Sequence, residues 1–304
     1  MEYQEFLEKV KNETGQYLGE EFTVAIHQVL KNNAVSLYGL VITEKEQNIS
    51  PTIYMEPFFR QLMEGADFED IFKEILQVYE ESRLKENMDV SFFTDYSQVR
   101  ELLFLKLINY AANTELLKLV PHTRFLDLAI VPYCFVKNIA VGEASILVYH
   151  SHMEMWKIEE RELMLEAKKN TREIMGSEIM ALKELVEEAG CCEELPAGKE
   201  GEETEMYVLS NRYKLNGAIC MTYPDVLDAF SEKTGKNLYV LPSSIHEVIL
   251  IPASGMYELD RLSEMVHEVN MTQVEQEELL SDHAYYYEKN IGFDKSFMNA
   301  CARN

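Results

Sequence analysis

The sequence predicts an α+β chain in two lobes, with antiparallel or mixed sheets and packed helices. Three observations carry this expectation. Apolar stripes of helical period and strand-like apolar runs occur in both halves, in an order too irregular for repeated βα units. The strand-like runs outnumber what a helical bundle can hold. Finally, Glu187–Glu205 holds eight Glu against the single Lys199, with Pro196 and three glycines, and has almost nothing apolar with which to anchor itself. That segment predicts an N-terminal lobe over residues 1–188, an acidic flexible loop or linker over 189–205 and a C-terminal lobe over 206–304.

The elements follow in order. Residues 2–32 read as helix on Phe6, Val10, Tyr17, Phe22, Ile26 and Val29, with a break at Gly15 or Gly19. Val35–Thr43 alternates, and Thr52–Met55 after the Ser50-Pro51 turn completes a hairpin. Pro57 opens one helix, and Asp67 opens a second that carries Phe68, Ile71, Ile75 and Val78 on one stripe. Residues 95–118 read as helix, Phe125–Val136 and Ala144–His150 as strands, and Glu159–Glu188 as helix broken near Gly176. Beyond the acidic segment, strands are expected at Met206–Leu209, Ala218–Tyr223, Leu238–Leu241, Glu247–Ile251 and Ala284–Glu288. Helices are expected at Pro224–Thr234, Tyr257–Val269 and Val274–Leu280.

Composition narrows function. The 304 residues carry 53 Asp and Glu against 28 Lys and Arg, a formal charge of −25. Such a surface repels phosphate backbones and anionic lipid, so direct nucleic-acid and membrane binding are disfavoured. The start, Met1-Glu2-Tyr3-Gln4-Glu5-Phe6, has neither the basic nor the apolar region of a signal peptide, and the expectation is a cytoplasmic protein. The five cysteines show no CxxC or Cys/His spacing, and Cys134 and Cys220 in apolar runs read as reduced core residues. No Walker A loop, dinucleotide fingerprint or kinase signature is present, and no cofactor is expected.

Several stretches together resemble an uncharacterised bacterial family classed only as a domain of unknown function. They are Ile49–Pro57, Pro121–Ala129, Val208-Leu209-Ser210-Asn211, Leu241–Pro252 and Leu280–Tyr287, spread over nearly the whole chain. The resemblance implies a cytoplasmic bacterial protein and transfers no catalytic residue.

The sharpest local feature lies inside Leu241–Pro252, where Ser243, Ser244, His246 and Glu247 sit between a proline and an apolar run. With a strand starting at Ile245, Ser244 and His246 share a face, which suits a hydroxyl–imidazole bond, while Glu247 points away and cannot orient the ring. Ser244, His246 and Glu247 are therefore the catalytic candidates, against a structural turn held by a serine side-chain-to-backbone bond. Three His/acid neighbours, His246-Glu247, His267-Glu268 and Asp282-His283, make His246, His267 and His283 metal-ligand candidates, although none has HExxH spacing. Asp127 interrupts a strand-like run and is expected in an ion pair with Arg124 or His122. His150-Ser151-His152 is expected as the polar end of a strand. The aromatic runs Phe58-Phe59, Phe92-Phe93 and Tyr285-Tyr286-Tyr287 are expected in packing rather than as base-stacking platforms, since no basic groove accompanies them.

Together these features predict a non-catalytic binding or regulatory protein with a protein or small-molecule partner. Two alternatives stand beside it: a metal-dependent hydrolase built on the C-terminal His/Glu cluster, and an acidic inhibitor that imitates nucleic acid. Proximity of His246, His267 and His283 separates the first alternative from the binding reading.

Overall fold

The computed structural model describes residues 1–45, 47–48, 50–83, 91–138, 142–188, 205–242, 244–255 and 257–294. The acidic segment expected at 189–205 lies outside the described residues apart from Glu205, as do Ser243, Cys191, Cys192 and Cys301. The fold is α+β, and among the described residues its three sheets are antiparallel. Two compact units form, Met1–Phe92 with Lys137–Ala144 and Phe93–Val136 with Ser145–Asn304.

In the first unit, α1 (Tyr3–Leu18) begins with the Glu2 N–H donating to the Glu5 carboxylate (3.1 Å) and ends at Gly19, whose φ of +80° suits a residue without Cβ. The strands β1 (Phe22–Leu30), β2 (Ser36–Glu44) and β3 (Thr52–Tyr54) pair in that order, with Ile26 opposite Leu40 and Leu40 opposite Ile53. The helices α2 (Glu56–Met63) and α3 (Phe68–Ser82) follow, the second capped by the Asp67 carboxylate, which accepts the Glu69 N–H (2.9 Å). Phe6, Val10, Leu40, Ile42, Met55, Phe58, Ile71, Ile75 and Tyr79 form the core, so the Phe58-Phe59 run does pack inward.

The second unit begins with the single turn α4 (Tyr96–Val99). It continues with β4 (Leu103–Asn109), α5 (Thr114–Leu117), β5 (Thr123–Phe125), β6 (Leu128–Asn138) and β7 (Gly142–Leu147), of which residues 137–138 and 142–144 count with the first unit, then α6 (His150–Trp156) and α7 (Glu160–Asn170). Next come β8 (Glu178–Ala181), α8 (Leu182–Glu188), β9 (Tyr207–Ser210), α9 (Pro224–Thr234), β10 (Leu238–Leu241), β11 (Val248–Pro252), α10 (Leu259–Gln273), β12 (Tyr285–Glu288) and β13 (Gly292–Phe293). One sheet has the order β4-β6-β5, with β7 also on β6; the other has the order β13-β12-β10-β11-β9-β8. A single buried cluster runs from Val99, Leu103 and Leu107 through Leu128, Cys134 and Leu163 to Leu238, Val248, Leu250 and Tyr285. Residues 93–136 thus share their core with residues beyond 205.

Five segments differ from their predicted state. Residues 22–30 are strand rather than helix, because Phe22, Val24 and Ile26 alternate onto the core once α1 has ended at Gly19. Residues 103–109 are strand rather than helix. Leu103, Leu105 and Leu107 are each buried beside β6, at about 1.5–3 kcal/mol per side chain, which outweighs the helical propensity of leucine. Gly217–Thr222 is a 3₁₀ turn rather than a strand, and Val274–Leu280 is turn rather than helix. Residues 178–181 are strand rather than helix: β8 pairs with β9, Ile179 opposite Leu209.

Candidate functional site

The loop from Pro242 to Glu247 joins β10 to β11, and the segment 278–281 is laced along it. Ile245 donates its N–H to the Glu278 carbonyl (2.9 Å), Ser281 donates to the Pro242 carbonyl (3.0 Å), and Ser244 bridges Leu279. The strand starts at Val248, later than expected. Ser244 Oγ accepts the backbone N–H of His246 (3.0 Å), so the hydroxyl closes a local turn instead of bonding the imidazole. His246 Nδ1 accepts the Asn216 N–H (3.2 Å), which puts the proton of the neutral ring on Nε2, 3.4 Å from Glu278 Oε1. The His246 carbonyl accepts from Ser210 Oγ (2.8 Å). Gly217 is required beneath this loop, since a Cβ there would strike Ser210 Oγ and lie 2.5 Å from the His246 carbonyl oxygen. Glu247 is half-buried. Burial pushes its pKa above the ordinary range, His246 and Lys214 pull it down, and Glu278 raises it further. Ser244 and His246 are therefore neighbours whose polar groups are bonded to the surrounding loop, with no hydroxyl–imidazole couple between them, and Glu247 follows them at the entry to β11.

The other candidates are spread out. His267 Nδ1 faces Asp282 Oδ2 (3.3 Å), Asn270 Nδ2 donates to Asp282 Oδ1 (2.7 Å), and the backbone N–H of His283 donates to Ser281 Oγ (3.0 Å). Among the described residues, no group of three or more His, Cys, Asp or Glu side chains is placed to hold a metal ion, so His246, His267 and His283 do not form one ligand set. His152 lies in the first turn of α6 rather than at a strand end; its Nδ1 accepts the Tyr149 N–H (3.2 Å), and burial lowers its pKa. Cys134 and Cys220 are buried free thiols, and burial pushes both pKa values up to about 12.

Asp127 is not in a strand and makes no ion pair with Arg124 or His122. It occupies the two-residue turn between β5 and β6, beside Leu126 at φ +56°. Its carboxylate accepts from Ser281 Oγ (2.8 Å) and from Tyr285 Oη (2.5 Å). Asn109 Nδ2 adds a bond to the Leu280 carbonyl (2.9 Å). Arg124 turns instead to the Leu126 carbonyl (3.1 Å) and the face of Tyr110, and His122 Nδ1 lies 3.0 Å from the Val120 carbonyl oxygen. Asp127 thus pins the end of the β4-β6-β5 sheet to the strap that leads into β12.

A cavity of about 600 Å³ lies over the β4-β6-β5 sheet, and no single stretch of sequence signals it. Leu105, Phe125 and Ile130 come from the sheet, Met164 and Leu165 from α7, and Ile219, Thr222 and Tyr223 from the 3₁₀ turn and the start of α9. Helix α7 is clamped to β4 at its C-terminal end. Asn170 Nδ2 donates to the carbonyls of Arg100 (2.7 Å) and Leu103 (3.0 Å), and Thr171 Oγ1 accepts the Leu105 N–H (2.8 Å). Leu163, Ala167 and Asn170 face the core from this helix, while Arg161, Met164, Leu165 and Lys168, spaced i, i+3, i+4 and i+7, line the cavity. On the opposite wall the Tyr223 ring is backed by the Arg172 guanidinium, 4.8 Å from the ring centre, which also pairs with Asp225 (2.5 Å). The buried Tyr223 hydroxyl has no hydrogen-bond partner among the described residues, and burial pushes its pKa up. A smaller cavity of about 200 Å³ shares Phe125 and Thr222.

Residues 3–289 match the family described as "Family of unknown function (DUF5688)", and the chain belongs to that family. No curated protein and no solved structure matches the chain.

Proposed function

We propose that this family member is a cytoplasmic binding protein without catalysis of its own, and that its ligand is a small molecule held in the cavity between α7 and the β4-β6-β5 sheet. The observation that carries the reading is the cavity itself. At about 600 Å³ it falls within the range of small-molecule sites, and it has their composition, apolar walls with a few polar groups at the edge. The state of the His246 loop supports the same reading, because Ser244 and the His246 ring are engaged in holding the loop rather than each other. Among the described residues no helix is long and apolar enough to cross a membrane.

Titration with a neutral fluorescent apolar probe, N-phenylnaphthylamine, tests the proposal. Saturable one-site binding is expected. It should be lost in Leu165→Trp, where the residue is 58% exposed and the larger ring can occupy the mouth without disturbing the core, and weakened in Ile130→Phe. Absence of saturable binding, or binding indifferent to both substitutions in folded protein, overturns it.

A further inference from the structure

We infer that the ligand is an amphipathic anion: an alkyl or aryl body ended by a carboxylate or phosphate, the body on Leu105, Phe125, Ile130, Met164 and Ile219 and the head at Arg161 and Lys168. The inference rests on the cavity being the binding site and adds the class of molecule. Its warrant is charge. In a chain with 53 acidic residues and 28 basic ones, cations are scarce and many are taken by neighbouring carboxylates. Lys9, Lys45, Lys73, Arg83, Arg100, Lys118, Arg172, Arg261 and Lys289 all have acidic partners.

Arg161 and Lys168 have none among the described residues, although α7 is rich in Glu; the nearby Glu166 carboxylate goes to Arg100 instead (2.8 Å). Both line the cavity, two turns of helix apart on the stripe that also presents Met164 and Leu165. Glu160, exposed at the first position of the same helix, also lines the cavity, leaving two cations against one carboxylate at the rim. Long basic side chains lay their stems on apolar surface and hold their charges at its edge, which places a cationic rim around an apolar floor. An anionic head on an apolar body matches both parts at once.

The test uses the full chain and a set of ligands that share one dodecyl body: dodecanoate, dodecyl phosphate, dodecanol and dodecylamine, each competing with N-phenylnaphthylamine. The two anions should bind about tenfold more tightly than the alcohol, and the amine most weakly, with the anion preference shrinking as salt is raised. Arg161→Gln/Lys168→Gln should abolish the preference, bringing the two anions to the affinity of the alcohol measured in the same variant. A preference for carboxylate over phosphate, or the reverse, then identifies the head group. If the probe binds but alcohol and anion compete equally, or the double variant keeps the preference, the inference falls and the cavity reading stands. If the probe does not bind at all, both fall.

Discussion

Replacing Asp127 tests how the two sheets of the second unit are held together. The Asp127 carboxylate is the acceptor for Ser281 Oγ and Tyr285 Oη, and those residues are only 3% and 0% exposed. In Asp127→Ala both hydroxyls lose a charged acceptor, and water can reach neither without opening the strap. A buried polar group left unpaired costs about 1–3 kcal/mol, but Ser281 Oγ still accepts the His283 N–H, which softens its share; a total of about 2–4 kcal/mol follows. Asp127→Asn keeps an acceptor oxygen for one hydroxyl and should lose roughly half as much. Urea unfolding followed by tryptophan fluorescence is the assay, since the chain has one tryptophan, Trp156, in the core of this unit. The midpoint should fall with the slope unchanged. The double variant Asp127→Ala/Tyr285→Phe should be less destabilised than the sum of its parts, because the hydroxyl that had lost its Asp127 acceptor is then gone. An Asp127→Ala midpoint equal to that of the parent would show that the carboxylate carries no sheet-to-sheet tether, and the account of this turn would be wrong.

Three further outcomes follow from the same geometry. Gly217→Ala should destabilise by about 1–3 kcal/mol, because the new Cβ collides with Ser210 and the His246 carbonyl; a melt matching the parent would refute that close approach. Tyr223→Phe should leave stability unchanged or raise it by up to about 1 kcal/mol, since it removes a buried hydroxyl without a partner among the described residues, and a clear loss would reveal one. Glu247 gives a pH signature. At acidic pH it is protonated in both folded and unfolded chains and contributes no difference. As pH rises past its ordinary value of 4.5, the unfolded chain releases the proton first, so stability falls through the window up to the raised folded pKa. The stability advantage of Glu247→Gln over the parent should therefore grow with pH across that window, and a gap that is constant or shrinks in paired urea melts would count against it.

The α+β class was legible because both periodicities are present, and helix ends such as Gly19, the Asp67 cap and the Pro224/Gly235 pair are written in single residues. Leu103–Asn109 was not, because a short continuous apolar run satisfies helix and strand templates equally and only its burial beside β6 decides between them. The make-up of the compact units follows a related rule. An acidic segment marks where the chain cannot pack, whereas the compact units are set by which buried faces meet, and Leu103 and Leu107 meet Leu238 and Val248 in one core. At the His246 loop the sequence showed a polar turn feeding an apolar strand, but the Asn216 and Glu278 partners of the ring come from 30 and more residues away. The cavity was hidden more deeply. Its walls run from Leu105 to Tyr223, and its one local trace, two cations flanking Met164 and Leu165 at helical spacing, looks in isolation like an ordinary exposed helix face.

The claim that the cavity is the binding site is tested most directly by photolabelling with an alkyl diazirine and mapping the adducts by tandem mass spectrometry. The account predicts light-dependent, saturable labelling concentrated on Phe125, Ile130, Met164 and Leu165, competed by dodecanoate and absent in Leu165→Trp. Adducts spread over other surfaces, or concentrated there and indifferent to the substitution, would contradict it.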